Sequence, residues 1–391
     1  MDRRVEENEE KRYRYVPEEI VVLILPRLPV KSLLRFKCVS KSWHSLISGP
    51  KFNLFNPRQQ VIVMSSRGPT QFENQLRFSI HAIDDEASVT KLPISNQLID
   101  SLSDRGPRFW GSCKGLLLVS FGEDFFLWNP LTGYCSKGLS HDWLTMSCFC
   151  GFPEFLISGL CFDSLNDDYK IVMALTFGRS FMVGSFRSKT WTEIHFPYPT
   201  RNLKPGPTVN DQVHWLVHSQ EGQGSQIKPY LIVSFDPRTN EFVNLPMPQH
   251  ERFEGSIIRG VGVLDGCFSL ALSTDHHGRR KSCDVEVLAM KKYGDKASWT
   301  SLFFISKVTV FDPIETLAVI LGSTINEKVL VQFYSSRRQV RMQWKANGGI
   351  LAYDTKHNTH RKFPIPKHTA DTIFSTMVFE SLVSPQTAIG R

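Results

Sequence analysis

A chain of 391 residues with 41% hydrophobic, 21% charged and 12% aromatic side chains has the make-up of a globular protein with one large domain and room for a small one. No apolar run comes near the ~18 residues a bilayer demands, and MDRRVEENEEKRYRY has no apolar signal core, so no membrane is expected as partner and a cytoplasmic or nuclear setting is. The net charge of +8 is carried without any nucleic-acid motif, so solvated basic loops are a better reading than a nucleic-acid face.

Residues 1–14 mix both signs of charge and are expected to form a disordered tail. The character changes at VPEEIVVLILPRLPVKSLLRFKCVSKSWHSLISGPKF, residues 16–52, which reads as three short helices. Pro17 suits a first helical turn, where its missing N–H is not needed, and Glu18 and Glu19 favour the positive end of the helix. Ile20, Leu23, Ile24 and Arg27 fall on one stripe, while Val21, Val22 and Leu25 cover the other faces. A segment this short has too little interior to bury a helix that is apolar all round, so the surplus implies a partner. Pro29 forces Leu28 out of the helical region and ends the first helix. A second helix restarts at Val30, and Ser40 can cap a third that carries Trp43, Leu46 and Ile47 inward and stops at Gly49-Pro50.

The run PEEI…ILPRLPVKSLLRFKCVSKSWHSLI resembles the F-box, above all its plant form, nearly position by position over residues 16–52. One departure is Val16, where the family usually carries Leu before the proline. The resemblance implies a three-helix module over 15–55 that binds a Skp-type adaptor, and through it a cullin and a RING protein. Carried over residue by residue, it puts Pro17, Ile20, Leu28, Pro29, Leu33, Leu34, Val39 and Trp43 on the adaptor face. Phe36, Leu46 and Ile47 are read as the module's own core.

From about residue 60, short runs of Val, Ile, Phe, Leu and Trp alternate with Gly, Pro, Asn and Asp, the signature of many strands. Val61–Met64, Leu76–Ile80 and Val89–Ile94 are the first three. A repeat then emerges. LWNPLTGY at 127–134 is echoed by SFDPRTNEF at 234–242 and, without the proline, by AYDTKHN at 352–358. Between these, SFRSKTWTEI at 185–194 is echoed by MKKYGDKASWTSLF at 290–303. The marks Asn129, Trp191, Asp236, Trp299 and Asp354 thus recur at a spacing typical of propeller blades and, with the earlier unit, make six blade-like units. A propeller must close its ring, and Thr372–Val383 alternates like a strand able to complete the first unit. The segments GSCKGLLLV (111–119), FDSLNDDYKIV (162–172) and VHWLV (213–217), together with the echoes above, resemble the plant F-box-associated, kelch-like domain. The expected fold class is therefore α+β multidomain: the F-box, then a mainly β, propeller-like domain over 56–384, with 385–391 as a C-terminal tail.

No catalytic constellation accompanies these strands. Gly260-Val261-Gly262 has no helix after it and fails the dinucleotide fingerprint; a strand and tight turn are expected. His214 and His218 share a strand face without further ligands, Asp167-Asp168 lies in a turn, and Cys148-Phe-Cys150 is the only close pair among eight scattered, reduced cysteines. No metal or cofactor is expected. The function expected is that of a non-catalytic receptor in a Skp–cullin–F-box ubiquitin ligase, capturing a target the sequence does not name. The alternatives are an F-box module working outside any ligase and a glycan-binding or enzymatic β domain. Residues 337–367 carry eight cations against Asp354, a net +7, so Arg337, Arg338, Arg341 and Trp344 are the candidate target-binding residues.

Overall fold

Each element follows from the local sequence. A computed structural model describes residues 16–49, 52, 59–67, 77–83, 88–92, 108–121, 123–141, 155–175, 179–198, 204–218, 230–248, 256–273, 282–309, 316–323, 328–335, 350–362 and 372–388. The chain separates into two compact units, Met1–Pro57 and Arg58–Arg391.

In the first unit α1 spans Glu18–Ile24 and runs into a 3-10 turn, Leu25–Arg27, which ends where Leu28 turns extended (ψ 151°) ahead of Pro29. Helix α2 covers Val30–Phe36 and α3 Lys41–Ser48. The Ser40 hydroxyl caps α3 by accepting from the Trp43 amide at 3.1 Å. Val21, Leu25, Val30, Leu33 and Ile47 are buried and form the small interior.

The second unit is a succession of four-strand antiparallel meanders. The first holds β1 (Gln59–Arg67), β2 (Arg77–Ile83) and β3 (Val89–Lys91); the second β4 (Arg108–Cys113), β5 (Leu116–Phe121), β6 (Asp124–Trp128) and β7 (Cys135–Ser140). The third runs through β8 (Phe155–Asp163), β9 (Asp168–Leu175), β10 (Ser180–Ser185) and β11 (Trp191–His195). The fourth is β12 (Lys204–Val209), β13 (Gln212–His218), β14 (Tyr230–Asp236) and β15 (Glu241–Leu245). The fifth has β16 (Ile257–Leu264), β17 (Cys267–Ser273), β18 (Ser282–Met290) and β19 (Trp299–Thr309). The sixth has β20 (Thr316–Ser323), β21 (Lys328–Ser335), β22 (Ile350–Asp354) and β23 (Thr359–Lys362). The last strand, β24 (Thr372–Phe379), returns to the first meander and pairs with β1 from Gln59↔Phe379 to Ser66↔Thr372.

First strands of successive meanders touch in the cyclic order β24, β4, β8, β12, β16, β20 and back to β24, which closes a β-propeller. Buried apolar clusters fill the seams between neighbours: Ile62, Phe109 and Trp128 between the first and second, Leu118, Phe125 and Tyr169 between the second and third, Phe181, Trp215 and Phe235 between the third and fourth. The expectation of six separate blades needs correction. Among the described residues the strands form five sheets, because the fifth and sixth meanders fuse into one of eight strands. There β16 and β20 pair in parallel, Gly260–Gly262 against Ala318–Ile320. Gly262 permits it: a Cβ at that position would lie 2.1 Å from the Ile320 carbonyl oxygen.

The five sequence marks fall at one structural place, the hairpin between the third and fourth strands of consecutive meanders. The Asn129 and Asp354 side chains accept from the amides two and three residues on, and Asp236 from that of Arg238. Trp191 and Trp299 begin the outer strand, and each indole N–H donates across the seam to the outer edge of the preceding meander, to the Ser140 and Pro246 carbonyls, both at 3.0 Å. The inner hairpins at Lys114-Gly115, Asn210-Asp211 and Asp265-Gly266 carry two consecutive positive φ angles, the tight turn whose twist matches a β-hairpin. Within 385–391, Pro385–Ala388 form a helical turn, α4. It follows a stretch held to the second meander: the Asn129 amide donates at 2.9 Å to both the Ser381 and Val383 carbonyls.

Candidate functional site

A short amphipathic module exposes whichever apolar side chains its interior has no room for. In the first unit Val21 and Leu25 turn inward from α1, while Ile20, Val22, Leu23 and Ile24 are left 43–56% exposed. Val16, before the helix, and Val39, between α2 and α3, are exposed as well. Leu28, Pro29, Leu34 and Trp43 are half-buried, and Trp43 packs edge-on against Phe36 with ring centroids 5.3 Å apart. Pro17, Ile20 and Val39 are thus available to a partner, and Leu28, Pro29, Leu34 and Trp43 partly so. Leu33 requires a correction, since it is 0% exposed: it faces the interior with Val30, and its neighbour Leu34 takes the outward position. Val16, Val22, Leu23 and Ile24 are outward-facing residues that the sequence reading left out of the site. The signal was present in α1, which has more apolar faces than one small core can cover. Burying a side chain of this size on a partner contributes about 1.5–3 kcal/mol, so the face is costly to leave in water.

In the second unit the polar side chains that could suggest chemistry are tied into the scaffold. The Asp163 carboxylate, fully buried, accepts from the Leu165 and Asn166 amides and pairs with Lys170 at 2.9 Å. Lys170 also donates to the Pro237 carbonyl and the Asn240 side chain, which joins the third meander to the fourth. Burial pushes the Asp163 carboxyl up, but hydrogen bonds from Asn166 and Lys170 outweigh it and hold the group below its ordinary range. Asp168 accepts from the Ser185 hydroxyl and the Arg187 amide, yet burial leaves its carboxyl raised. Lys114 bridges to Asp211 at 3.0 Å and lies 4.4 Å from the centre of the Phe162 ring, knitting three inner hairpins together.

His214 is fully buried on β13, with Nδ1 3.0 Å from the Pro207 carbonyl and Nε2 2.8 Å from the Tyr293 hydroxyl. A carbonyl only accepts, so Nδ1 donates to Pro207 when the ring is neutral, and Nε2 lies beside the Tyr293 hydroxyl, which donates to the Gln212 side-chain oxygen at 2.9 Å. Burial lowers the imidazole to about 4 and raises the Tyr293 phenol to about 12, so both are neutral at physiological pH. The thiols of Cys113 and Cys161 are raised by burial and stay protonated. Among the described residues no group of three His, Cys, Asp or Glu side chains could hold a metal ion, and no helix is long and apolar enough to cross a membrane. These networks tie neighbouring meanders together and brace the ring.

Arg337, Arg338, Arg341 and Trp344 lie outside the described residues, as do Cys148 and Cys150. Their connection joins β21, ending at Ser335, to β22, starting at Ile350.

The family model of the F-box domain matches residues 16–55, the segment that folds into the three helices and bears the exposed apolar face. An F-box protein of Arabidopsis thaliana is 30% identical over 248 residues, which covers 58% of this chain and 73% of that relative. The chain belongs to the F-box protein family. An F-box/kelch-repeat protein of the same plant is 28% identical over 320 residues, 76% of this chain and 81% of that protein, and F-box protein CPR1 is 26% identical over 356 residues, 82% and 80% respectively. The similarity to these F-box proteins therefore extends well beyond the helices into the propeller.

Proposed function

We propose that this F-box protein is the target-recognition subunit of a Skp–cullin–F-box ubiquitin ligase. The observation that carries the reading is the unpartnered apolar face of α1, in a segment that matches the F-box, on a module too small to cover it. A Skp-type adaptor would bury Ile20, Leu23, Leu28, Pro29, Leu34, Val39 and Trp43, and would bring a cullin and a RING protein with it. The protein then has no chemistry of its own to perform: ubiquitin transfer belongs to the conjugating enzyme, and the receptor raises the effective concentration of target lysines. The polar networks of the propeller support this, since they serve the scaffold. The β unit is taken to be of the F-box-associated, kelch-like type, in keeping with its meanders and its F-box/kelch relative, and the complex to work inside the cell.

The target is captured at loops of the rigid ring, where specificity usually resides. Because β16 and β20 are parallel, β17 and β21 run the same way and end on the same side of one sheet; the sequence continues from them as 274–281 and 336–349. They carry Arg279, Arg280 and Lys281, and Arg337, Arg338, Arg341 and Lys345, which favours an acidic target surface.

The test is affinity capture by the full chain and by a Leu28→Ala, Pro29→Ala double variant. The variant should lose adaptor binding by about 2–4 kcal/mol, the cost of truncating central interface residues, while keeping its target. Equal co-purification of the adaptor by both proteins would refute the assignment. Replacing Arg337, Arg338 and Arg341 by Gln should weaken target capture and flatten its salt dependence with adaptor binding intact.

A further inference from the structure

The charge of the first unit has a direction. Over residues 16–49 five cations, Arg27, Lys31, Arg35, Lys37 and Lys41, stand against two carboxylates, Glu18 and Glu19. Both carboxylates sit in the first turn of α1, where they favour the helix's positive end. Every cation lies after the end of α1. Arg27, Lys31, Arg35 and Lys41 are exposed, and Lys37 is half-buried.

The cations also flank the apolar face. Arg27 follows Leu23 by one helical turn and folds back so that its guanidinium donates to the Leu23 carbonyl. Lys31 on α2 and Lys37, the helical residue that caps its end, each stand three residues from Leu34 and are its neighbours on the helix surface. Arg35 is one turn beyond Lys31 and donates to the Ser32 hydroxyl at 3.3 Å. Lys41 opens α3 two residues after the exposed Val39.

We infer that the apolar face of the F-box is rimmed with positive charge on its α2–α3 side, and that the partner surface it fits is an apolar recess bordered by carboxylates. The inference rests on the adaptor reading above and deepens it, since it specifies the chemistry of the adaptor's docking surface. Apolar contacts between Ile20, Leu23, Leu28 and that recess hold the complex together and set its dissociation rate. The cationic rim acts earlier, by drawing a negatively charged partner into register and raising the association rate. Attraction between exposed charges is screened over about 8 Å at physiological salt, so the effect is a rate effect that depends on ionic strength. The two contributions are separable because they fall on different residues.

The experiment measures association and dissociation of a purified Skp-type adaptor with the full-length protein by stopped-flow or surface-bound kinetics, from low to high salt. Three proteins are compared: wild type, Lys31→Gln with Arg35→Gln and Lys41→Gln, and Leu28→Ala with Pro29→Ala. These three cations are exposed, so the Gln variant should fold as wild type does, which its far-UV spectrum checks. We expect its association rate to fall roughly 10-fold at low salt and to lose most of its salt dependence, with dissociation little changed. The apolar variant should instead dissociate faster and keep its salt dependence. The inference is overturned if the Gln variant associates as wild type does at every salt concentration while the apolar variant loses binding, an outcome that leaves the adaptor reading standing. Wild type failing to bind the adaptor at all would overturn both.

Discussion

At the hairpin position where the fourth and sixth meanders have Asp236 and Asp354, the second has Asn129. Asp would satisfy the turn equally well, since the side-chain oxygen only accepts from the Leu131 and Thr132 amides. The difference lies on the other arm, where the Asn129 amide donates to Ser381 and Val383. A carboxylate cannot donate. The substitution Asn129→Asp therefore keeps the turn, conforms to the repeat, and faces two carbonyl oxygens with negative charge at a site that is fully buried. Losing two hydrogen bonds costs about 0.5–1.5 kcal/mol each, and an uncompensated buried charge adds to this, for a total of about 3–5 kcal/mol at neutral pH. At somewhat under 2 °C per kcal/mol in a domain of this size, the unfolding midpoint should drop by roughly 5–8 °C. Burial raises the introduced carboxyl above its unfolded value, so the penalty is full at neutral pH and fades as pH falls and the group protonates. Thermal unfolding followed by circular dichroism at two pH values reads both effects. A midpoint indistinguishable from wild type at neutral pH, with no recovery in acid, would show that the C-terminal stretch is not held by this side chain.

Removing residues from Asp371 onward takes away β24 and bares β1 along its whole length; the truncated protein should aggregate, and a soluble, monomeric and equally stable product by light scattering would argue against ring closure. Lys170→Met strands the buried Asp163 and frees Pro237 and Asn240, which should cost about 3–5 kcal/mol in chemical denaturation, with the third and fourth meanders losing amide-exchange protection first. The neutral His214 makes stability depend on pH: its folded value of about 4 lies below the ordinary 6.5, so its contribution is complete above pH 6.5 and is lost as pH falls through 4. That contribution is roughly 3 kcal/mol, and His214→Gln should flatten the stability profile in that window.

Much of this organisation could be read from the residues because it is written in turns and caps. Ser40, Pro29 and the Asx residues at 129, 236 and 354 act on their own neighbours, so a local reading locates them. The repeat was legible for the same reason, although its two forms, Asx-Pro and Trp, look unrelated until the structure places them on the same hairpin. Leu33 and Leu34 show the limit. Adjacent leucines on one helix are chemically alike, and only the packing of α1 and α3 decides which one turns inward. The fusion of the fifth and sixth meanders was likewise hidden, since Gly262 reads as a weak strand residue until Ile320, far along the chain, lies against it. The basic rim of the F-box escaped notice because the charge there is modest in sum and becomes meaningful only next to exposed apolar side chains.

The pairing of β1 with β24 also sets a clock. The three F-box helices are made before any strand of the ring, and β24 is made after every other strand. A chain still on the ribosome can thus display an adaptor-binding module while its first meander lacks an inner strand and its ring stands open. Domains generally fold in the order of their synthesis, so the three-helix module can mature before the propeller is complete. The ring can close only when its last strand has emerged.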